Sequence, residues 1–289
     1  MKKILVIGGT GVAGTAAINA ACRHFGAETD ITAVWYGRKY EDIKIEGVDR
    51  VVFGDITDNS VLDRIADSAG AEFDYVFFAT ALGEVGFPIE MSTKDQIIAA
   101  CRVSFDPLIS LDEKFSIGVL VGYSTFYNFE HQRINYGAMG HAKERIENWV
   151  EESTGAGRHV CIRAGAFHSA SSKAIKLLLR RHAKSLAESG YPLLERYFRN
   201  RKPSEAVELL EEAIHEEERR ILGDTYTNQQ NLTDAHIMLF RNPEAKFINV
   251  CGSRIWISDE VQLLSQPVFS PFLQDHTSIS GAEMSEMRG

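Results

Sequence analysis

The chain has 289 residues, 44% apolar and 25% charged, with a formal net charge of -9. This is the balance of a soluble globular protein, and its acidity argues against general nucleic-acid binding. No apolar run approaches the ~18 residues of a membrane span, and the four cysteines lack CxxC or Cys/His ligand spacing, so no membrane association and no zinc site are expected and the thiols read as free in a reducing cytoplasm.

In chain order, "MKKILVIGG" begins with two lysines and a short apolar run that stops at Gly8, too short for a signal-peptide core; it reads as a first strand. Further buried-strand patterns follow at "ITAVWYG", "RVVFGD", "DYVFFATA", "IGVLVGYS" and "HVCIRAG". Amphipathic helices are predicted over 11–25, 59–69, 91–113 and 136–153. This βα alternation predicts an α/β fold, a Rossmann-type doubly wound parallel sheet, over 1–165. Ligands of such sheets bind at the strand C-ends. Residues 166–289 read as a mostly helical C-terminal substrate cap and not an independent domain. They carry helices near 171–189 and 203–221, a polar section "GDTYTNQQNLTD", a strand "KFINVCG" and an aperiodic tail from Ser265.

"VIGGTGVAG" joins the first strand to the first helix and holds Gly9-x-Gly11-x-x-Gly14, with Gly8 just before it. Glycines there permit a tight turn and close backbone approach to a diphosphate, and the helix N-terminus offers N–H groups and a positive dipole end. At the end of the second strand, "WYGRKYED" presents Arg38 and Lys39 where a carboxylate would select NAD(H). A guanidinium pairs well with a 2′-phosphate, so NADP(H) is favoured over NAD(H), although Glu41 or Asp42 could still reach a ribose. In "FGDITD", Asp55 is placed to meet an adenine edge or to cap the next helix, a role also open to Asp58.

Together these elements resemble the short-chain dehydrogenase/reductase superfamily, over about residues 1–170. The resemblance implies a nicotinamide cofactor and a Ser/Tyr/Lys site on the fifth strand and the following helix. It implies cofactor contacts from Gly8, Thr10, Gly11, Val12, Ala13 and Gly14, from Arg38, Asp55 and Ile56, and from Ala79, Thr80 and Ala81 after the fourth strand. Aligning Lys143 with the family lysine, with Glu147 four residues on, leaves Met139 in the usual tyrosine position, and a thioether cannot donate a proton. However, "NYGAMGHAKERIE" is similar to the enoyl-acyl-carrier-protein reductases, whose signature is Tyr, six residues, Lys; Tyr136 and Lys143 satisfy that spacing. On that analogy Tyr123 corresponds to a second active-site tyrosine and Lys143 holds the nicotinamide ribose. "CIRAGAFHSASSKAI" then brings Ala164 and Gly165 past the nicotinamide and Ser169 to a cofactor phosphate. Ser124 stands where the superfamily often orients substrate. The glycine loop departs from the enoyl-reductase pattern.

The expected function is therefore an NADPH-dependent reductase of a conjugated C=C bond, an enoyl thioester or enone. In it Tyr136 stabilises the developing enolate and Lys143 adds positive potential. The alternatives are a carbonyl or imine reductase whose acid is Tyr123, Tyr127 or Tyr136, and a non-catalytic NADP(H)-sensing regulator, which Met139 would signal. Basic residues Lys173, Lys176, Arg180 and Lys184, with Arg196, Arg199, Arg201 and Lys202, form a patch that suits a carrier protein or a coenzyme A phosphate, or simply a solvated face. The resemblance also implies a homodimer or homotetramer paired through helices 91–113 and 136–153.

Overall fold

Successive residues of the apolar runs feed two separate cores, which is why they form strands buried on both faces. In β1 (Lys2–Ile7), Ile4 and Val6 enter one core while Leu5 and Ile7 enter the other. The computed structural model describes residues 1–36, 43–153 and 158–258. Its other strands are β2 (Thr29–Trp35), β3 (Arg50–Phe53), β4 (Glu72–Phe78), β5 (Ser116–Thr125), β6 (Arg158–Ala164), β7 (Phe247–Cys251) and β8 (Arg254–Ser258). They form one sheet in the order 3-2-1-4-5-6-7-8, parallel from β3 through β7, with β8 antiparallel at the edge. The strand order reverses between β1 and β4, which creates the crevice where doubly wound sheets bind ligands.

The helices are α1 (Val12–Phe25), α2 (Asn59–Ala69), α3 (Lys94–Ser104), α4 (Asp106–Lys114), α5 (Glu130–Arg133), α6 (Gly137–Glu152), α7 (Ala170–Arg181), α8 (Ala183–Ala187), α9 (Pro192–Phe198), α10 (Pro203–Leu222) and α11 (Gln229–Arg241). One face of the sheet is covered by α1 and α11, and the other by α2, α4 and α6. A separate apolar cluster joins Leu179, Leu186, Leu194, Phe198 and Leu210 of α7 to α10 with Ile134.

The expected alternation over 1–165 is present, and three details differ from expectation. The helix anticipated over 91–113 is two helices, α3 and α4, because Pro107 has no N–H with which to continue the ladder of α3. The stretch 171–189 likewise divides into α7 and α8 at His182. The polar section "GDTYTNQQNLTD" contains the start of α11, where Asn228 and Asn231 cap each other's backbone N–H groups. The C-terminal part thus both builds the helical cap and extends the sheet with β7, β8 and α11.

Candidate active site

The glycine loop leaves β1 and is anchored to β2 by the Gly8 and Gly9 N–H groups, which donate to Val34 O at 2.8 and 3.3 Å. A Cβ on Gly14 would overlap the Gly8 carbonyl, so only glycine lets the first turn of α1 sit this close to the strand. The helix ladder begins with Thr15 N–H to Gly11 O at 2.8 Å. The N–H groups of Val12, Ala13 and Gly14 precede it, the first turn carries no acidic side chain, and Thr10 and Gly11 are exposed. Ala79 N–H bonds Ile7 O at 2.9 Å, which sets Ala79, Thr80 and Ala81 beside the loop across the strand reversal. This loop fits a dinucleotide diphosphate, since the N–H groups that open α1 have no partner within the helix and the first turn carries nothing acidic to oppose the charge.

Asp55 is exposed and turns onto Thr57, accepting from its N–H at 2.9 Å and its hydroxyl at 2.8 Å. Asp58, not Asp55, caps α2 through Ser60. Ile56 is buried in the second core, leaving its backbone as the part that could face a ligand. Arg38, the residue expected to read a 2′-phosphate, lies outside the described residues, as do Lys39, Glu41 and Asp42.

Tyr136 is half-buried at the N-cap of α6, and its hydroxyl is hydrogen-bonded to the Thr125 side chain at the C-end of β5. Burial is the main cause that pushes its pKa up to about 12, so the phenol keeps its proton. Lys143, two turns further on, is 6% exposed and donates to Tyr123 O at 2.8 Å. Desolvation pulls its pKa down to about 8. Met139 is buried against the segment after β4, with its sulfur 3.6 Å from the Ser104 hydroxyl. A Cβ on Gly83 would come within 2.8 Å of that sulfur, so the usual tyrosine position is packed shut. The same segment closes the start of α6, because Glu84 O accepts from Ala138 N–H at 3.0 Å and Phe87 O from Gly137 N–H at 2.9 Å. Gly137 has φ +49, and a Cβ there would meet Glu84 O at 2.6 Å.

The structure does not bring Tyr123 and Ser124 to this edge by their hydroxyls. Tyr123 points into the first core, 2.6 Å from His236 Nε2. His236 Nδ1–H donates to Leu232 O at 2.6 Å, so Nε2 accepts and the phenol donates. Ser124 faces the other side and bonds the buried Glu147 carboxylate. Glu147 also accepts from Tyr127 at 3.0 Å and pairs with Arg163 at 2.8 Å, while the Arg163 guanidinium lies over Phe126. Tyr127 is thereby committed to Glu147. Among the three tyrosines weighed as acids, Tyr136 is the one whose hydroxyl meets the strand edge.

Ala164 ends β6 and Gly165 follows it, and both Ala164 and Tyr136 bond the Thr125 side chain. Ala164 O accepts from the Thr125 hydroxyl at 2.7 Å, and Gly165 N–H bonds Val250 O at 2.8 Å. Ser169 caps α7, where its hydroxyl accepts from Ser172 N–H at 3.1 Å. Thr125 and Glu218 were not anticipated from sequence. Glu218 lies in a run of glutamates, but at helical spacing it falls on the inward stripe with Val207, Leu210 and Ile214, where an apolar residue is expected. Of the basic patch, Lys176 pairs with Glu211 and Arg199 with Glu195, and Arg201 bonds backbone carbonyls of α9. The four cysteines are free thiols, and among the described residues no helix is long and apolar enough to cross a membrane.

No protein-family model matches the sequence, and no curated protein matches it. Solved structures do match in shape. An NAD+-bound xylitol dehydrogenase superposes with a TM-score of 0.59 at 15% identity, over 82% of this chain and 91% of that one. The KRED1-Pglu enzyme gives 0.57 at 14% identity, over 83% and 94%. A Saccharomyces cerevisiae short-chain dehydrogenase/reductase gives 0.55 at 14%, over 84% and 91%. Likeness at this level of identity establishes architecture: the chain has the short-chain dehydrogenase/reductase fold.

Proposed function

We propose that the chain is a nicotinamide-dependent reductase of the short-chain dehydrogenase/reductase type that reduces a conjugated C=C bond, in an enoyl thioester or enone. NADP(H) is favoured over NAD(H). The observation that carries this reading is the placement of Tyr136. It is a protonated phenol hydrogen-bonded to Thr125 at the edge of the sheet, with Lys143 buried on the same helix. The packed Met139 leaves no acid in the ordinary carbonyl-reducing position. When bound, the nicotinamide supplies a hydride to the β-carbon of the substrate. Tyr136 then faces the conjugated carbonyl oxygen, where its hydrogen bond strengthens as negative charge develops. Lys143 holds positive potential beneath that edge, and the first turn of α1 holds the diphosphate. The fold shared with an NAD+-bound xylitol dehydrogenase is consistent with the class, and Arg38 in "WYGRKYED" favours the 2′-phosphate of NADP(H).

The test is NADPH and NADH oxidation by the chain and its Tyr136→Phe variant, over a panel of enoyl thioesters, enones, ketones and imines. The expected result is a saturated product, faster turnover with NADPH, and a loss of about 100-fold or more in the variant with coenzyme binding kept. Equal turnover in both proteins overturns the assignment of Tyr136. Ketone or imine reduction replaces the C=C reading. Met139, sealed beneath Gly83, supports a second reading, a non-catalytic NADP(H) sensor, which predicts coenzyme binding without turnover in either protein.

A further inference from the structure

Three consecutive residues at the end of β6, Ala164 to Ala166, are held by three different elements. Ala164 O takes the Thr125 hydroxyl of β5 at 2.7 Å, Gly165 N–H reaches Val250 O of β7 at 2.8 Å, and Ala166 N–H reaches Glu218 Oε1 of α10 at 2.6 Å. The first two partners are sheet neighbours and come with the fold. The third is a carboxylate with 0% exposure, delivered from the cap. Its other oxygen accepts from the Thr225 hydroxyl at 2.8 Å, and Thr225 in turn is 2.8 Å from His215 Nδ1. His215 is itself buried and stacks on the exposed Tyr226, ring centroids 4.1 Å apart. No lysine or arginine pairs with Glu218 among the described residues; its nearest basic group is His215 Nδ1, at 3.8 Å.

Burying a carboxylate among neutral donors costs several kcal/mol, on the order of what a whole set of good hydrogen bonds returns, and an apolar side chain would fill the same stripe position at no such cost. A reacting group needs the backbone beside it held in place by packing and hydrogen bonds from behind. Here the held backbone is the turn that shares Thr125 with Tyr136. A Cβ on Gly165 would lie 3.1 Å from Glu218 Oε1 and 3.0 Å from the Thr227 hydroxyl, so the turn is clamped with no slack on the cap side.

We propose that Glu218 is a positioning residue for this site: reaching in from α10, it fixes the Ala164–Ala166 turn against Thr125 and thereby sets the place of the Tyr136 hydroxyl over the substrate edge. Thr225 and His215 orient the carboxylate from behind. The assignment rests on the reductase reading for its consequence in turnover, and on geometry alone for the clamp. It couples the cap to the sheet edge, so that the element expected to cover substrate also tunes the acid. The charge of Glu218 acts in the same direction, since it favours the protonated form of Tyr136.

The experiment compares the full chain with Glu218→Gln and Glu218→Ala by amide hydrogen exchange of peptides spanning 164–167, by NADPH fluorescence titration, and by steady-state kinetics. Glu218→Gln keeps an oxygen acceptor for Ala166 N–H; Glu218→Ala removes it. In Glu218→Ala, exchange at 165–167 is expected to rise about tenfold or more while the β5 and β6 amides keep their protection. NADPH affinity is expected to stay within about threefold, and kcat to fall on the order of 100-fold with KM little changed. Glu218→Gln is expected to restore most of the protection and part of the turnover. Unchanged exchange in Glu218→Ala overturns the proposal. So does loss of protection across the whole sheet, which marks a general core role. A wild-type chain that binds NADPH but turns over no substrate refutes the reductase reading alone, because the clamp is still read by exchange.

Discussion

Lys143 brings an ammonium group to a site that is 6% exposed, where it donates a hydrogen bond to the neutral Tyr123 carbonyl. Burial lowers its pKa from the ordinary 10.5 to about 8. The folded chain therefore binds this proton more weakly than the unfolded chain, so stability rises with pH between about 8 and 10.5, and the cost of the charge is felt in full below about 8. Lys143→Met is expected to be more stable than the parent at pH 7, by on the order of 3 kcal/mol at roughly 1.4 kcal/mol per unit. The gap should close as pH approaches 10.5, and coenzyme affinity should fall. Urea melts at pH 7 and pH 10 decide this; a variant less stable at pH 7 would show that the lysine holds the helix to the strand more than it costs. Tyr136 and Lys143 stood out in the sequence because their Tyr-x6-Lys spacing resembles the enoyl-reductase signature and lies within one helical stretch. Glu218 was legible only as a glutamate on the apolar stripe of α10; that it reaches the Ala166 N–H is a contact between residues 52 positions apart, which helical spacing does not contain. Tyr123 reads in sequence as a second active-site tyrosine or an alternative acid, and its strand face instead sends its phenol to His236.

At the level of elements, the glycine loop and the start of α6 obey one logic: backbone approaches backbone where no Cβ can stand. Gly14 meets the Gly8 carbonyl, and Gly137, at φ +49, meets Glu84 O. Gly14→Ala must push α1 off the end of β1, and it is expected to weaken NADPH binding roughly tenfold or more, about 1.4 kcal/mol per tenfold. A fluorescence titration with affinity equal to the parent would remove the diphosphate from this loop. The loop was legible because its glycines lie between a strand and a helix in sequence. The closure of α6 was not, because Glu84 and Phe87 are some fifty residues before Gly137 and act through carbonyls that every residue possesses. The division between α3 and α4 was written in Pro107, and the start of α11 in Asn228; both are local rules that a polar or long periodic stretch can hide.

For the whole molecule, the sheet draws on both halves of the chain. Removing everything after residue 165 would leave β6 as a bare edge and strip α11 from the face it shares with α1. Leu232, Ala235, Leu239 and Phe240 of α11 are buried there, with Phe240 against Phe25 and Tyr75 at 4.8 and 4.9 Å between ring centroids. Each large side chain lost from that core is worth about 1.5–3 kcal/mol, comparable in sum with the net stability of a domain. The fragment 1–165 is therefore expected to show no cooperative urea transition, by circular dichroism, where the full chain shows one. A sigmoidal transition in the fragment would mean that the first six strands fold alone.

The sequence by itself determined the doubly wound core and the glycine turn between β1 and α1, and it set Tyr136 and Lys143 seven residues apart, two turns of one helix, because period-2 burial, turn glycines and fixed spacings along a helix are local properties that survive without coordinates. Only the tertiary structure decided which tyrosine reaches the edge, that Met139 is packed shut beneath Gly83, that β8 closes the sheet, and that Glu218 crosses from the cap to grip the turn after β6. The reason is the same in each case: these outcomes are settled by contacts between residues tens of positions apart, and sequence spacing contains no measure of the distance between them once the chain has folded.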